Sequence, residues 1–545
     1  MTRTSHRLIL TVSALVVFSN TARSGTAADM LRDSEVFICR RLQAATVRII
    51  SGEDRSSGVM ISAQGHVLTV AHGLHGDTET VTIVFQDGTA TEAAILLKDS
   101  EADVAVLKFD PGENSVLTSI PVSADAGQAK NAIVFAAGYP GRERNGLSPV
   151  VRLGELLAVE PHALRSSCTL TSGDSGGPLV NERGELIGLH RQIGIGTESN
   201  LHLPITDLRT VALPVLDLTR IEQLPVPSAD RVVAPESLVP SSEVLANCRA
   251  RTVELHYNAW DEVPVILGTL LSESLVATKL SELSPNLPVQ CRLAIGRGVI
   301  ASVIRSDPAL DIAILKLAAV QPNVPSLIVS EPIQDTGSSI DRFQFVFAAH
   351  NAEGVSRAGI VSRDAHDEPE LPCRFGAVLN ASRQSKAVIV TEVAPGSSAA
   401  GANLVPGEIL RSLNGIAVSS LDQCDMILKQ HQPGDWLTIE SFRFPNQYSA
   451  TVRLQHDPTE QFERTEFLDG RSGRVSERRS GFKHVLQHDI PIAPAECGGP
   501  LCDGTGRIIA INIARRARES TLAVPIGDVL KLANRVDDTV NADDQ

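Results

Sequence analysis

Leu170-Thr171-Ser172-Gly173-Asp174-Ser175-Gly176-Gly177-Pro178-Leu179 is the stretch that decides the fold. A serine stands among glycines, which allow a sharp turn and bring backbone N–H groups close to the hydroxyl. A second copy reads Pro494-Ala495-Glu496-Cys497-Gly498-Gly499-Pro500-Leu501, with a thiol where the first has a hydroxyl. What the chain can do depends on which copy keeps its chemical partners.

A serine hydroxyl is a weak nucleophile. It needs a histidine to take its proton, a carboxylate to orient that histidine, and N–H donors for the oxyanion. Upstream, Gly65-His66-Val67-Leu68-Thr69-Val70-Ala71-His72 reads as a strand ending at a histidine. Asp99-Ser100-Glu101-Ala102-Asp103-Val104-Ala105-Val106-Leu107-Lys108 places Asp103 at the head of an apolar strand. The chain order His72, Asp103, Ser175 is that of chymotrypsin, not of subtilisin or the α/β-hydrolases. Each residue alone has an ordinary structural reading, but the three motifs in this order do not. His66, His75, His162 and His190 lack such a setting and read as structural or exposed.

Residues 35–215 thus resemble the trypsin-like fold and, within it, the exported bacterial HtrA/Deg proteases. The resemblance implies that Ser175 attacks a scissile carbonyl, His72 acts as base then acid, and Asp103 fixes the imidazole tautomer. The N–H groups of Gly173 and Ser175 would form the oxyanion hole. Asp174 departs from the Asn usual in HtrA proteins and matches trypsin, which leaves zymogen behaviour open. The specificity pocket is expected around Cys168–Ser172 and Leu189–Ile193. Thr169, not an acid, stands six residues before Ser175, which points to small or medium apolar side chains rather than Lys or Arg.

The repeat is the size of a domain. Ser281 aligns with His72, Asp311 with Asp103 and Cys497 with Ser175. The first two positions are 31 residues apart in the first copy and 30 in the second. The later halves differ: 72 residues separate Asp103 from Ser175, and 186 separate Asp311 from Cys497. The excess is room for a small inserted domain of about 100 residues. It contains Phe375-Gly376-Ala377-Val378, which resembles a PDZ carboxylate-binding loop, followed by Val388-Ile389-Val390, Leu413-Asn414-Gly415 and an apolar-periodic run near 421–428. The resemblance implies a module that captures a peptide as an added edge strand. The second copy lacks a base. A thiol without a neighbouring histidine keeps a pKa near 8.5, so Ser281, Asp311 and Cys497 read as a degenerate, non-catalytic triad. His484 and His488 lie near Cys497 in sequence, but the base of this fold comes from the other barrel.

The expected architecture is mainly β: two trypsin-like double β-barrel domains, the second carrying an inserted α+β PDZ-like module. The expected divisions are a signal peptide (1–28), a protease domain (29–220), a Pro-rich linker (221–242), the degenerate domain (243–354 and 457–535), the inserted module (355–456) and an acidic tail (536–545). The signal rests on Arg3, His6 and Arg7 before an apolar run from Leu8 to Phe18, too short to span a bilayer. Aromatic residues are only 3% of the 545, so Val, Leu, Ile and Ala must build the cores. A net charge of −15 argues against nucleic acid or anionic membrane as a partner. Eight cysteines in an exported chain could form disulfides, though five extended residues hold Cys497 and Cys502 too far apart. No cofactor or metal is suggested by the His and Cys spacings. Polypeptides are the expected substrates, unfolded or damaged proteins by resemblance, and a homo-oligomer stays open. Two other readings remain: a peptide-binding or chaperone-like scaffold, and a processing protease of narrow specificity.

Overall fold

The computed structural model describes residues 27–112, 117–124, 127–141, 148–194, 196–197, 199–212, 214, 216, 242–258, 261–285, 287–292, 298–319, 340–348, 357–371, 373–381, 387–456 and 475–534. The signal segment up to residue 26, nearly all of the Pro-rich linker and the acidic tail lie outside these residues. Among the described residues no helix is long and apolar enough to cross a membrane.

Four closed six-stranded barrels, all antiparallel, dominate the chain. Barrel 1 runs from Thr46–Ser51 to Val104–Lys108, and barrel 2 from Ile133–Gly138 to Asn200–Pro204. Barrel 3 spans Thr252–His256 to Ile312–Leu317, with the strand order of barrel 1. Barrel 4 begins at Phe345–Ala348, ends at Ser520–Pro525 and repeats the order of barrel 2. The sequence pattern explains this. Strands such as Val104–Lys108 and Ile312–Leu317 are runs of β-branched and aliphatic residues buried on both faces.

The repeat extends to the entry of each domain. A helix, Ala27–Ala45, leads into barrel 1, and a helix, Ser242–Ala250, leads into barrel 3. In both, the threonine at the junction back-bonds to the helix: Thr46 Oγ1 donates to the Leu42 carbonyl at 2.7 Å, and Thr252 Oγ1 to the Cys248 carbonyl at 3.0 Å.

The insertion falls at one hairpin of barrel 4. In barrel 2, Val150–Glu160 turns directly into Ala163–Ser166. In barrel 4 the matching strands, Arg357–His366 and Val485–His488, pair with each other across the whole insertion. This corrects the expected start of the module at 355. Residues 357–360 pair with Phe345–Ala348 and residues 361–366 with Val485–His488, so the whole strand belongs to the barrel. The module's stem is a two-stranded ladder of Cys373–Arg374 with Gln455–His456. Above it lie a sheet, with Ala377–Ala381 at one edge, and the helices Ser398–Gly401 and Leu421–Leu428.

None of the eight cysteines is in a disulfide. The disulfides that export made plausible are absent from the structure.

Candidate active site

His72 and Asp103 come together because their strands are neighbours. His66–Thr69 pairs with Val104–Lys108, with Thr69 opposite Ala105, so the chain leaves one strand and enters the other at the same end of barrel 1. His72 sits in a single 3₁₀ turn, Ala71–Gly73. Asp103 sits at φ 59°, the left-handed region, which a non-glycine residue occupies only when its surroundings hold it there. The turn before it is capped by Asp99, whose carboxylate accepts the Glu101 and Ala102 N–H groups.

The carboxylate grips the histidine twice. His72 Nδ1 lies 2.9 Å from Asp103 Oδ2, and the His72 backbone N–H donates to Oδ1 at 3.0 Å. This assigns the proton-bearing nitrogen to Nδ1 and leaves Nε2 as the basic nitrogen. Arg191 Nε adds a contact to Oδ2 at 3.3 Å. Burial pulls the Asp103 carboxyl upward, but the hydrogen bonds and charge of His72, with Arg191, outweigh it and hold the group below its ordinary value.

Ser175 lies on the loop before the strand Pro178–Asn181, and barrel 1 holds that loop through Ser57. The Ser57 N–H donates to the Ser175 carbonyl at 2.8 Å. Ser57 Oγ donates to the Gly173 carbonyl at 2.8 Å and accepts the Tyr139 N–H at 2.9 Å. Gly176, at φ 84°, closes the contact between the barrels. A Cβ there would lie 2.1 Å from Thr69 Oγ1 and 2.3 Å from the Ser57 carbonyl. The nucleophile loop is thus pressed against the strand that delivers His72. The Ser175 hydroxyl itself makes no hydrogen bond among the described residues; catalytic hydrogen bonds often tighten only when substrate binds.

The N–H groups expected to receive an oxyanion are oriented by a neighbouring loop. Gly141 N–H binds the Ser172 carbonyl at 2.6 Å. In a trans peptide the N–H points opposite the carbonyl, so the Gly173 N–H is turned the other way. Neither it nor the Ser175 N–H has an acceptor among the described residues. Asp174 anchors the loop from below, accepting the Thr171 N–H at 2.8 Å and pairing with Arg152 at 3.0 Å, both side chains buried. Burial raises the Asp174 carboxyl despite Arg152. Ser57, Arg152 and Arg191 escaped sequence reading because isolated polar residues in strands look like solvent-facing positions.

The other histidines behave as read. His75 and His162 are exposed beside Asp54 and Asp207, and His66 is half-buried on Ser62. His190 is buried against His202, and burial lowers both, His202 to about 3.

The second cleft keeps the frame with other side chains in it. Asp311 sits at φ 56°. It accepts the Ser281 N–H at 2.8 Å and the Ser281 hydroxyl at 2.9 Å, replacing both bonds that His72 makes. Leu267 N–H donates to the Cys497 carbonyl at 3.1 Å, as Ser57 does to Ser175. Burial pushes the Cys497 thiol up. The cleft is also filled from within. Ser476 N–H bonds the Arg515 carbonyl at 3.0 Å, and its hydroxyl lies 3.7 Å from the Cys497 sulfur. Arg478 reaches the Pro308 carbonyl at 2.7 Å. From the inserted module, Trp436 Nε1 and Arg453 both donate to the Ser281 carbonyl. Of the neighbouring histidines, His488 is spent on Asn512 and His484 is exposed beside Asp528.

Residues 56–189 match the trypsin-like peptidase domain family. The match falls within barrels 1 and 2, which are thus similar to trypsin-like peptidase domains. Within that class the likeness is to HtrA/Deg serine proteases. The chain is 30% identical to the serine endoprotease DegS of Escherichia coli K12 over 139 residues, covering 25% of this chain and 38% of DegS. It is 32% identical over 174 residues to a probable periplasmic serine endoprotease, DegP-like, of Halomonas elongata, covering 31% and 36%. The chain thus spans less than two-fifths of the length of these relatives. A serine endoprotease structure from Yersinia pestis aligns with 80% of this chain and all of its own at 16% identity, with a TM-score of 0.30.

Proposed function

We propose that the protein is an exported serine endopeptidase that cuts unfolded or damaged polypeptides, using His72, Asp103 and Ser175. The observation that carries this reading is the double grip of Asp103 on His72, beside a serine loop whose Gly173 and Ser175 N–H groups are unused. Ser175 Oγ attacks the substrate carbonyl while His72 Nε2 takes its proton. Asp103 stabilises the imidazolium, and the two N–H groups receive the oxyanion. His72 then protonates the leaving amine, and water releases the acyl group by the reverse steps.

The inserted module supplies the second substrate contact on this reading. Ala377–Ala381 is an edge strand with a free side, and Leu421–Leu428 packs beside it. Val378, Leu421 and Met426 are exposed there. The N–H groups of Phe375 and Gly376 have no acceptor among the described residues. Phe375, Gly376, Ala377 and Val378 thus offer what a peptide carboxyl terminus would use. Names of relatives that include the word periplasmic support export.

Purified protein should hydrolyse an unfolded protein substrate, and Ser175→Ala should reduce that by about 10⁴-fold or more. Equal hydrolysis by the variant would refute the assignment.

A further inference from the structure

The degenerate domain sends two buried charged side chains into the catalytic one. The first is at the tip of the hairpin joining Ile508–Ala517 to Ser520–Pro525. A hairpin tip is ordinarily solvent-exposed. Here Ala517, Arg518, Glu519 and Ser520 are all buried, Arg518 completely. Its Nη1 donates to the Gly194 carbonyl at 3.2 Å, and its Nη2 to the Gly196 carbonyl at 2.6 Å and toward Asn200 Oδ1 at 3.5 Å.

Those acceptors adjoin the segments expected to wall the specificity pocket. Gly194 follows directly on the strand Leu186–Ile193, one expected wall. Asn200 is fully buried and serves the other wall: its Oδ1 accepts the Leu170 N–H at 2.9 Å, and its Nδ2 donates to the Ser166 carbonyl at 3.2 Å. Leu170 lies in the run that leads to Ser175. One rigid, planar guanidinium therefore ties wall to wall. A buried guanidinium is costly unless its donors are met. The Gly194 and Gly196 carbonyls that meet its two Nη groups belong to the other domain, so docking the domains and holding the expected pocket walls are coupled.

The second side chain is Asp489. It is buried and accepts the Leu153 N–H of barrel 2 and the Ile360 N–H of barrel 4, both at 2.7 Å. Leu153 adjoins Arg152, which holds Asp174. The nucleophile loop is thus braced by the degenerate domain from both sides.

We infer that the degenerate domain is a positioning partner of the active one, with Arg518 holding the pocket walls so that substrate lies correctly against Ser175. The inference rests on the reading of Ser175 as nucleophile. Arg518 touches no reacting atom, so it is a positioning residue.

The test uses full-length Arg518→Ala and Arg518→Lys beside wild type, with a library of short peptides differing at the residue before the cut. A displacement of about 1 Å far from the chemistry can cost on the order of 10²-fold. Arg518→Ala should lose about 10- to 100-fold in peptide kcat/KM and flatten the side-chain preference. Its labelling by a small fluorophosphonate, which barely uses the pocket, should fall by less than about threefold, a margin set for remote changes. Guanidinium ion at millimolar concentration should restore part of the peptide turnover of Arg518→Ala and do nothing for wild type. A folded Arg518→Ala with wild-type kcat/KM and preference overturns the inference. If Arg518→Ala does not fold, Arg518→Lys decides by the same two readouts, because it keeps the charge and loses the fork. Absence of labelling in wild type would instead overturn the reading of Ser175.

Discussion

The two clefts of this chain differ in what surrounds an identical frame. Each holds an aspartate in the left-handed region at the mouth of a strand, and each holds its nucleophile-position carbonyl on an N–H from the facing barrel. The first cleft places an imidazole on the aspartate and leaves two N–H groups unspent. The second places a hydroxyl there, buries a thiol, and fills the remaining space with Ser476 and Arg478. The frame does not depend on the histidine: barrels 3 and 4 form with Ser281 in its place, because strand burial and the Asp–backbone bond hold them.

The largest expected effect breaks the comparison at its shared residue. Asp103→Asn should reduce peptide turnover by about 10⁴-fold, through loss of the correct histidine tautomer. Asp311→Asn should leave turnover within about threefold and instead lower stability, because it removes one of the two carboxylates, Asp311 and Glu282, that face the fully buried Lys279. Steady-state kinetics and thermal unfolding on both variants separate the two roles.

Next in size is the inserted module. Removing it down to its Cys373–His456 stem should raise KM for long protein substrates about tenfold or more. A tethered second site supplies an effective concentration on the order of millimolar. Short peptides, which cannot bridge both sites, should change by less than about threefold. Equal losses would place the module's role in its contact with Ser281 rather than in substrate capture.

The interface has a pH signature. Burial pushes Asp489 up to about 7, whereas an unfolded aspartate titrates near 3.9. Between those values the folded chain keeps a proton that the unfolded chain has lost. Stability from this group is therefore present at low pH and lost as pH rises through about 4 to 7. Thermal unfolding of Asp489→Asn beside wild type should show the variant losing less stability across that window. Parallel curves would place the titration elsewhere.

The smallest effect is a null that sharpens the comparison. Restoring a triad with Ser281→His and Cys497→Ser should give no labelling at 497, since the cleft is already occupied by the chain. Labelling there would show that only the missing base had silenced it.

Much of this was legible in the sequence, for a physical reason. The barrels and their facing loops are written as short strand-and-loop motifs at matched spacings, so the pairing of His72 with Asp103 and of Ser281 with Asp311 could be read directly. The start of the insertion was not, because Arg357–His366 runs toward the module with no turn residue to mark the boundary. Arg518 was invisible for a different reason. It meets carbonyls more than three hundred residues away, and an arginine in Ala-Arg-Arg-Ala-Arg-Glu-Ser has the local look of a solvated turn. The filling of the second cleft by Ser476 and Arg478 is likewise a long-range fact within a charged, Arg- and Ser-rich stretch.

The central claim is that one cleft is a working serine site and the other is not. Labelling the full-length protein with a fluorophosphonate and mapping the modified peptide tests it most directly. The account predicts modification at Ser175 alone, abolished by His72→Ala. An unlabelled Ser175 in folded protein, or a label that persists in His72→Ala, would contradict it.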